Sequence, residues 1–227
     1  FAAIKGQMGI WRYYVTAFSF EDVCNVVSPI TDEISNSESY SNLLQRAITN
    51  NVKSITDYLL NQSERMFNAL VLAVYDGNPE WYELDVQVED YSTYSVGVLE
   101  LIGDETIFPV DGQHRVAGIK EAVKKNPLLK DEKVPIILIG HENSSEGKKR
   151  TRRLFSTLNR RARCVSDNEI IALDEDDVVA IATREMAENH DLFSGNRLVD
   201  SSSKNISPQN GLAFTSILTL YEINRYL

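Results

Sequence analysis

Near residue 111 the hydrophobic period of this chain changes from that of strands to that of helices, and this change limits the fold more than any other feature. Upstream, Ile10–Phe20 carries Trp11, Tyr13, Val15, Phe18 and Phe20, the aromatic and β-branched content of a half-buried strand. Ser19 reads as the N-cap of a short helix with Asp22 in its first turn. Helical stretches follow near Tyr40–Thr49 and Val52–Gln62. Phe67–Val74 is a short apolar run closed by Asp76-Gly-Asn-Pro79, a turn signal, and so predicts a buried strand. Trp81–Val88 alternates in type as a strand with one wet face does. Val96–Ile102 and Glu105–Val110 are two further strands, with a hairpin turn expected at Gly103-Asp104.

Downstream, Val116, Ile119, Ala122 and Val123 are helix-spaced and Pro127 closes their helix. Lys133–Ile139 returns to a strand. Ser145–Ala162 is helical, with Thr151, Leu154, Phe155, Leu158 and Ala162 on one face and bases on the other. Ser166-Asp-Asn-Glu169 is a capping box, Asp174–Glu188 a further helix, and Gly211–Leu227 a last apolar helix after the linker Ser201–Pro208. Strands mixed with helices place the chain in the α/β (α+β) class. The expected division is an α/β domain over 1–140 and a mostly helical region over 141–227 packed on it.

Composition excludes several classes. Of 227 residues 43% are hydrophobic and 25% charged, ordinary values for a globular chain. The longest uncharged apolar runs, Ala69–Tyr75 and Val134–Gly140, fall far short of the ~20 residues a membrane helix needs, so no membrane partner is expected. Two distant cysteines, Cys24 and Cys164, exclude a disulfide scaffold and a thiolate zinc cluster. A reducing, cytoplasmic setting is the expectation. No leader pattern precedes the first strand, and a native chain longer at both ends is expected, because position 1 is Phe and the sequence stops in an apolar stretch.

A net charge of −10 argues against a surface basic throughout. Its distribution is uneven. From Asp76 to Asp111 there are ten acids and no Lys or Arg. From His141 to Val165 eight bases face two acids, and from Ser166 to Asp191 nine acids face Arg184 alone. A basic island between acidic flanks is a localised footprint.

The segment Ile107-Phe-Pro-Val-Asp-Gly-Gln-His-Arg-Val-Ala-Gly118 concentrates the chemistry. A strand ends at Val110 and a helix begins near Gln113, so first-turn N–H groups and the helix dipole make an anion site. Gly112 removes a Cβ from that approach, and His114 and Arg115 add donors. Asp111 is placed to hold a metal ion, a water or a ribose hydroxyl. The same residues also make an ordinary Asp-Gly turn with a helix cap and a surface His–Arg pair. No Walker-type loop and no GxGxxG occur. His141 and His190, in polar context, read as surface residues, and Cys24 as core.

The string Asp111-Gly112-Gln113-His114-Arg115 followed by Ala117 and Gly118 resembles the signature of DGQHR-domain proteins. Phe1-Ala-Ala-Ile-Lys-Gly-Gln7, Phe155-Ser-Thr-Leu-Asn-Arg-Arg-Ala162 and Ile171-Ala-Leu-Asp-Glu-Asp-Asp177 resemble the branch tied to DNA phosphorothioate modification, the DndB-type proteins. The resemblance implies a ParB/sulfiredoxin-like mixed-sheet domain with a helical C-terminal continuation. Sulfiredoxins carry a nucleophilic Cys in this turn; Gln113 stands there instead, so reductase activity is not expected.

The resemblance further implies a DNA-binding repressor of the modification genes, bound to their promoter, with a nucleoside triphosphate pocket. Gly112, Gln113, His114, Arg115, Asn159 and Arg160 would hold ATP or CTP with Mg²⁺, the ion on Asp111. Lys148, Lys149, Arg150, Arg152, Arg153, Arg161 and Arg163 are the candidate contacts to double-stranded DNA. Two alternatives stand beside it. One is an NTPase acting directly in DNA modification, with Asp111 and His114 catalytic; the other is a protein-interaction module with a vestigial pocket. A homo-oligomer and contacts with other modification proteins are expected.

Overall fold

The computed structural model describes residues 1–28, 52–88, 91–160, 171–199 and 205–227, with the side chains of 88, 91–94, 159 and 160 excepted. The expected helix at Tyr40–Thr49, the capping box Ser166–Glu169, and Arg161, Arg163 and Cys164 lie outside the described residues. The chain forms two compact units, Phe1–Arg161 and Ala162–Leu227.

The first unit is built on a seven-stranded mixed sheet, so the α/β class holds. Its strands are β1 (Ala2–Met8), β2 (Trp11–Ser19), β3 (Leu70–Tyr75), β4 (Glu80–Val88), β5 (Tyr91–Glu100), β6 (Thr106–Asp111) and β7 (Lys133–Gly140), in the spatial order β4-β5-β1-β2-β7-β3-β6. All neighbours are antiparallel except β3 and β7. The helices of this unit are α1 (Phe20–Val26), α2 (52–61), α3 (Gln113–Lys125) and α4 (Ser145–Arg160).

Local chemistry explains most of these elements. Ser19 and Asp22 form a reciprocal capping box at the start of α1. Gly9, at φ 58°, opens the two-residue turn that pairs Met8 with Trp11. Strand β1 itself was not expected, since Ala-Ala-Ile-Lys-Gly-Gln-Met has one β-branched residue, Ile4, and no aromatic; pairing with β2 and β5 on both sides holds it. The first strand expected from Ile10 accordingly starts one residue later, Ile10 being the turn.

Two strand expectations are corrected. The Gly103 segment does turn (φ 98°), with the Glu105 carboxylate accepting from the Ile102 and Gly103 N–H groups, but no hairpin follows. Strand β5 pairs with β4 and β1, whereas β6 pairs with β3 at the other end of the sheet. Pro109 lies within β6, and a residue without an N–H is tolerated at a sheet edge. Strand β4 was expected to have one dry face, yet six of its residues from Tyr82 to Gln87 are exposed, because β4 is the other edge strand.

Each face of the sheet has its own core. On one, Ala3, Phe18, Leu70, Leu72, Leu99, Ile136 and Leu138 meet Val23, Leu59, Val116, Ile119 and Ala122 of α1–α3. On the other, Ala73, Tyr75, Phe108, Val110 and Ile139, with Trp11 and Tyr13, meet Leu154, Phe155 and Leu158 of α4. Each fully buried Val, Leu, Ile or Phe side chain contributes about 1.5–3 kcal/mol. The basic helix therefore falls in the first unit.

In the second unit, α5 (Val178–Asn189) is capped by Asp177, which accepts from the Val179 and Ala180 N–H groups. Tyr221 of α6 (Ile217–Asn224) donates to the same carboxylate, and Asn224 donates to Thr183 at 3.0 Å. Both helices are shorter than their apolar stretches suggested. The cap at Asp177 delays the start of α5, and α6 follows a two-residue parallel pairing of β8 (Leu198–Val199) with β9 (Thr215–Ser216).

Candidate functional site

Strand β6 delivers Asp111 opposite Val71, and α3 starts two residues later. Gly112 between them lies at φ 93°, ψ 22°, the left-handed region that disfavours a side chain. A Cβ there would meet Leu70 Cδ2 at 2.5 Å and Arg115 Nη2 at 3.2 Å. Glycine is thus required by the turn and by packing, besides any ligand. Among the described residues no side chain caps α3, so its first-turn N–H groups have no side-chain acceptor there.

Arg115 folds inward. Its Nη2 donates to Asp111 Oδ2 at 2.7 Å, and its Nη1 to the carbonyls of Asn68 (2.6 Å) and Ala69 (3.3 Å). The guanidinium is 18% exposed and the carboxylate 35%. The pair clamps the β6–α3 turn to the segment leading into β3. Beside it, Gln113 Nε2 and His114 Nδ1 are buried with no hydrogen-bond partner among the described residues. An orphaned buried polar atom costs about 1–3 kcal/mol, and two in one helical turn mark a place suited to a polar ligand or water. For a nucleotide the fit is divided. The uncapped amides and the two orphaned atoms suit phosphate and ribose, while the charge of Arg115 is already engaged. Among the described residues no group of three or more His, Cys, Asp or Glu is placed to hold a metal ion, so Asp111 would offer a single carboxylate.

The basic helix is the second station. Ser144 opens it, its hydroxyl accepting from the Gly147 N–H at 3.1 Å. Gly147 is buried; a Cβ there would lie 1.9 Å from the Glu142 carbonyl. Thr151, 1% exposed, bonds His141 Nδ1 at 2.8 Å. The His141 ring stands edge-on to Tyr75 and Phe108. His141 is thus buried, at 8% exposure, and not the surface residue its polar neighbours suggested, because it continues β7 beside β3, where its N–H donates to Val74. His190 is exposed, as expected.

With Thr151, Leu154, Phe155 and Leu158 turned inward, Lys149 and Arg153 lie on the exposed side. Lys149 makes a loose pair with Glu146 at 3.6 Å. Lys148 and Arg152 are half-buried. Arg150 differs from all four. Its guanidinium sits 5.1 Å from the centroid of the Trp11 ring and 3.8 Å from Glu142, and its Nε is buried without a partner among the described residues. Sequence reasoning set Thr151 on the inward face of the helix, as found, but did not foresee Trp11 as a support; the one available signal was the aromatic at the head of β2. Asn159 and Arg160 end the helix. On the far side of the sheet Cys24 is half-buried rather than in the core, because it sits beside Val23 on the margin of α1; burial pushes its thiol up, away from the thiolate a nucleophile needs.

Among the described residues no helix is long and apolar enough to cross a membrane. A family model, DndB, described as DNA-sulfur modification-associated, matches residues 1–227. No curated protein and no solved structure matches the chain.

Proposed function

The chain belongs to the DndB family of DNA-sulfur-modification-associated proteins, and from that premise we propose that it is a DNA-binding regulator that represses the phosphorothioate modification genes. The observation that supports this is the seating of α4. A helix fixed to the sheet by its apolar side presents Lys149 and Arg153 on the other as a rigid cationic ridge, the usual source of phosphate contacts. Lys148 and Arg152 flank it, and Arg161 and Arg163 extend it in sequence. The test is a titration of labelled promoter DNA from the modification genes across a salt series. Tighter binding than to unrelated DNA, with log K falling linearly in log salt, is the expected result. Equal affinity for both DNAs would remove the repressor reading.

A second reading rests on the orphaned Gln113 Nε2 and His114 Nδ1. The first turn of α3 would take the phosphates of ATP or CTP on its N–H groups, with Gln113 and His114 on phosphate or ribose oxygens. Asn159 and Arg160 would close over the nucleotide. Mg²⁺, when bound, neutralises developing charge on the phosphates; Asp111 would be its protein ligand. If turnover occurs, Asp111→Asn should abolish phosphate release while nucleotide binding persists. Wild-type phosphate release equal to a control without protein would leave binding without hydrolysis.

A further inference from the structure

The run of ten acids without a base, Asp76–Asp111, is used neither by the DNA contacts proposed above nor, apart from Asp111, by the α3 turn. Its first half forms β4, an edge of the sheet among the described residues. Edge strands present unpaired N–H and C=O groups and are normally covered, shortened or charged. Strand β4 is nine residues long. The register lines up Leu84, Val96, Ile4 and Val15 in one row across four strands, with Tyr82 and Val98 in the next. Tyr82 and Leu84 are each 48% exposed, Ile4 55% and Val98 39%, so the row is a continuous apolar strip open to solvent. The opposite side of β4 carries Glu83 and Asp85, which alternation along the strand separates from Leu84.

We propose that this edge and strip dock an extended segment of another protein, with Lys or Arg alternating with aliphatic residues, which adds to the sheet beside β4. Its backbone would pair with the open edge, its aliphatic side chains would extend the Tyr82–Leu84 strip, and its bases would meet Glu83 and Asp85. A second copy of this chain is disfavoured by the same acids. In the antiparallel register centred on Leu84, Glu83 of one copy faces Asp85 of the other, and like charges directly opposite destabilise a strand pair. The fold already contains the favoured pairing. Lys5 of β1 reaches diagonally across β5 to Glu83 of β4 at 3.1 Å.

The test uses the whole chain and three acetylated nine-residue peptides: alternating Val and Lys, alternating Val and Glu, and the Val/Lys peptide N-methylated at alternate residues so that it cannot pair. Calorimetry should give the unmodified Val/Lys peptide at least tenfold tighter binding than either of the others. The double variant Glu83→Lys/Asp85→Lys, with circular dichroism matching the wild type, should reverse the preference toward the Val/Glu peptide. Equal binding of the N-methylated peptide would reduce the effect to bare charge and overturn the proposal. So would absence of binding, or a wild-type dimer in sedimentation that Leu84→Lys dissociates, which would assign the edge to a second copy.

Discussion

The guanidinium of Arg115 joins the β6–α3 turn to the carbonyls of Asn68 and Ala69, and its removal strands two carbonyls and a carboxylate. Arg115→Ala should therefore lower stability by about 1.5–3 kcal/mol, the range for hydrogen bonds to charged groups. An unchanged urea midpoint would contradict the clamp. Any loss of nucleotide affinity in that variant has to be read beside its stability. Among the bases of α4, Lys149 and Arg153 face solvent, Lys148 and Arg152 are half-buried, and Arg150 packs on Trp11. Replacing Lys149 and Arg153 by Ala should flatten the salt dependence of DNA binding, by ~0.9 in slope for each phosphate no longer neutralised. Arg150→Ala should lower the melting temperature and leave the slope unchanged, because that guanidinium stacks on Trp11. A slope reduced equally by Arg150→Ala would place it on the DNA. The residue types at both stations were legible in the sequence. Their partners were not, since Asn68 and Trp11 reach Arg115 and Arg150 only through the assembled sheet.

Among the elements, the strand-turn-helix of β6, Gly112 and α3 was the most legible, because the change of period and the glycine coincide. Gly112→Ala tests it. A left-handed backbone costs a non-glycine residue about 1–2 kcal/mol, and the added methyl also meets Leu70 Cδ2. Equilibrium denaturation should show at least that loss, and a wild-type midpoint would mean that the turn relaxes. Helix α4 was legible from its apolar face, and the start of α1 from Ser19 and Asp22. What failed was pairing. A glycine turn at 103 announces a reversal of the chain but not which strand receives the next segment. The partner of β6 is β3, whose apolar run Val74, Ala73 and Leu72 lies opposite Ile107, Phe108 and Pro109. In β1 both neighbours come from outside the segment, and its own composition carries little strand signal.

At the scale of the whole molecule, each unit has buried apolar residues, layered on a sheet in the first and including Ile171, Ala180, Leu218 and Leu220 in the second, where a polar node forms at Asp177 as well. The Tyr221 hydroxyl, then the Ala180 and Val179 N–H groups, hold the Asp177 carboxyl below its ordinary value. A depressed folded-state value stabilises the fold fully above the ordinary carboxyl pKa, about 3.9. That contribution is lost as pH falls through the folded-state value. A carboxyl-carbon NMR titration should give Asp177 a midpoint below the ordinary value; one at or above it would remove the node. Tyr221→Phe should move the midpoint upward.

Strand β7 has a further consequence. It is the last of the seven in sequence and lies between β2 and β3, pairing with both. During synthesis the hairpin of β1 and β2 and the pair of β3 and β6 therefore emerge with no strand between them; the segment after α1 touches β6 through the Val27–Ile107 bridge, but the sheet itself closes only once residues 133–140 have left the ribosome. Closure of the sheet waits on pairing between residues more than a hundred positions apart, such as Tyr13 with Ile139, and distant pairings of this kind form slowly. A nascent chain stalled before Lys133 holds two half-sheets with exposed apolar margins, the form in which this protein is most open to chaperones and to aggregation.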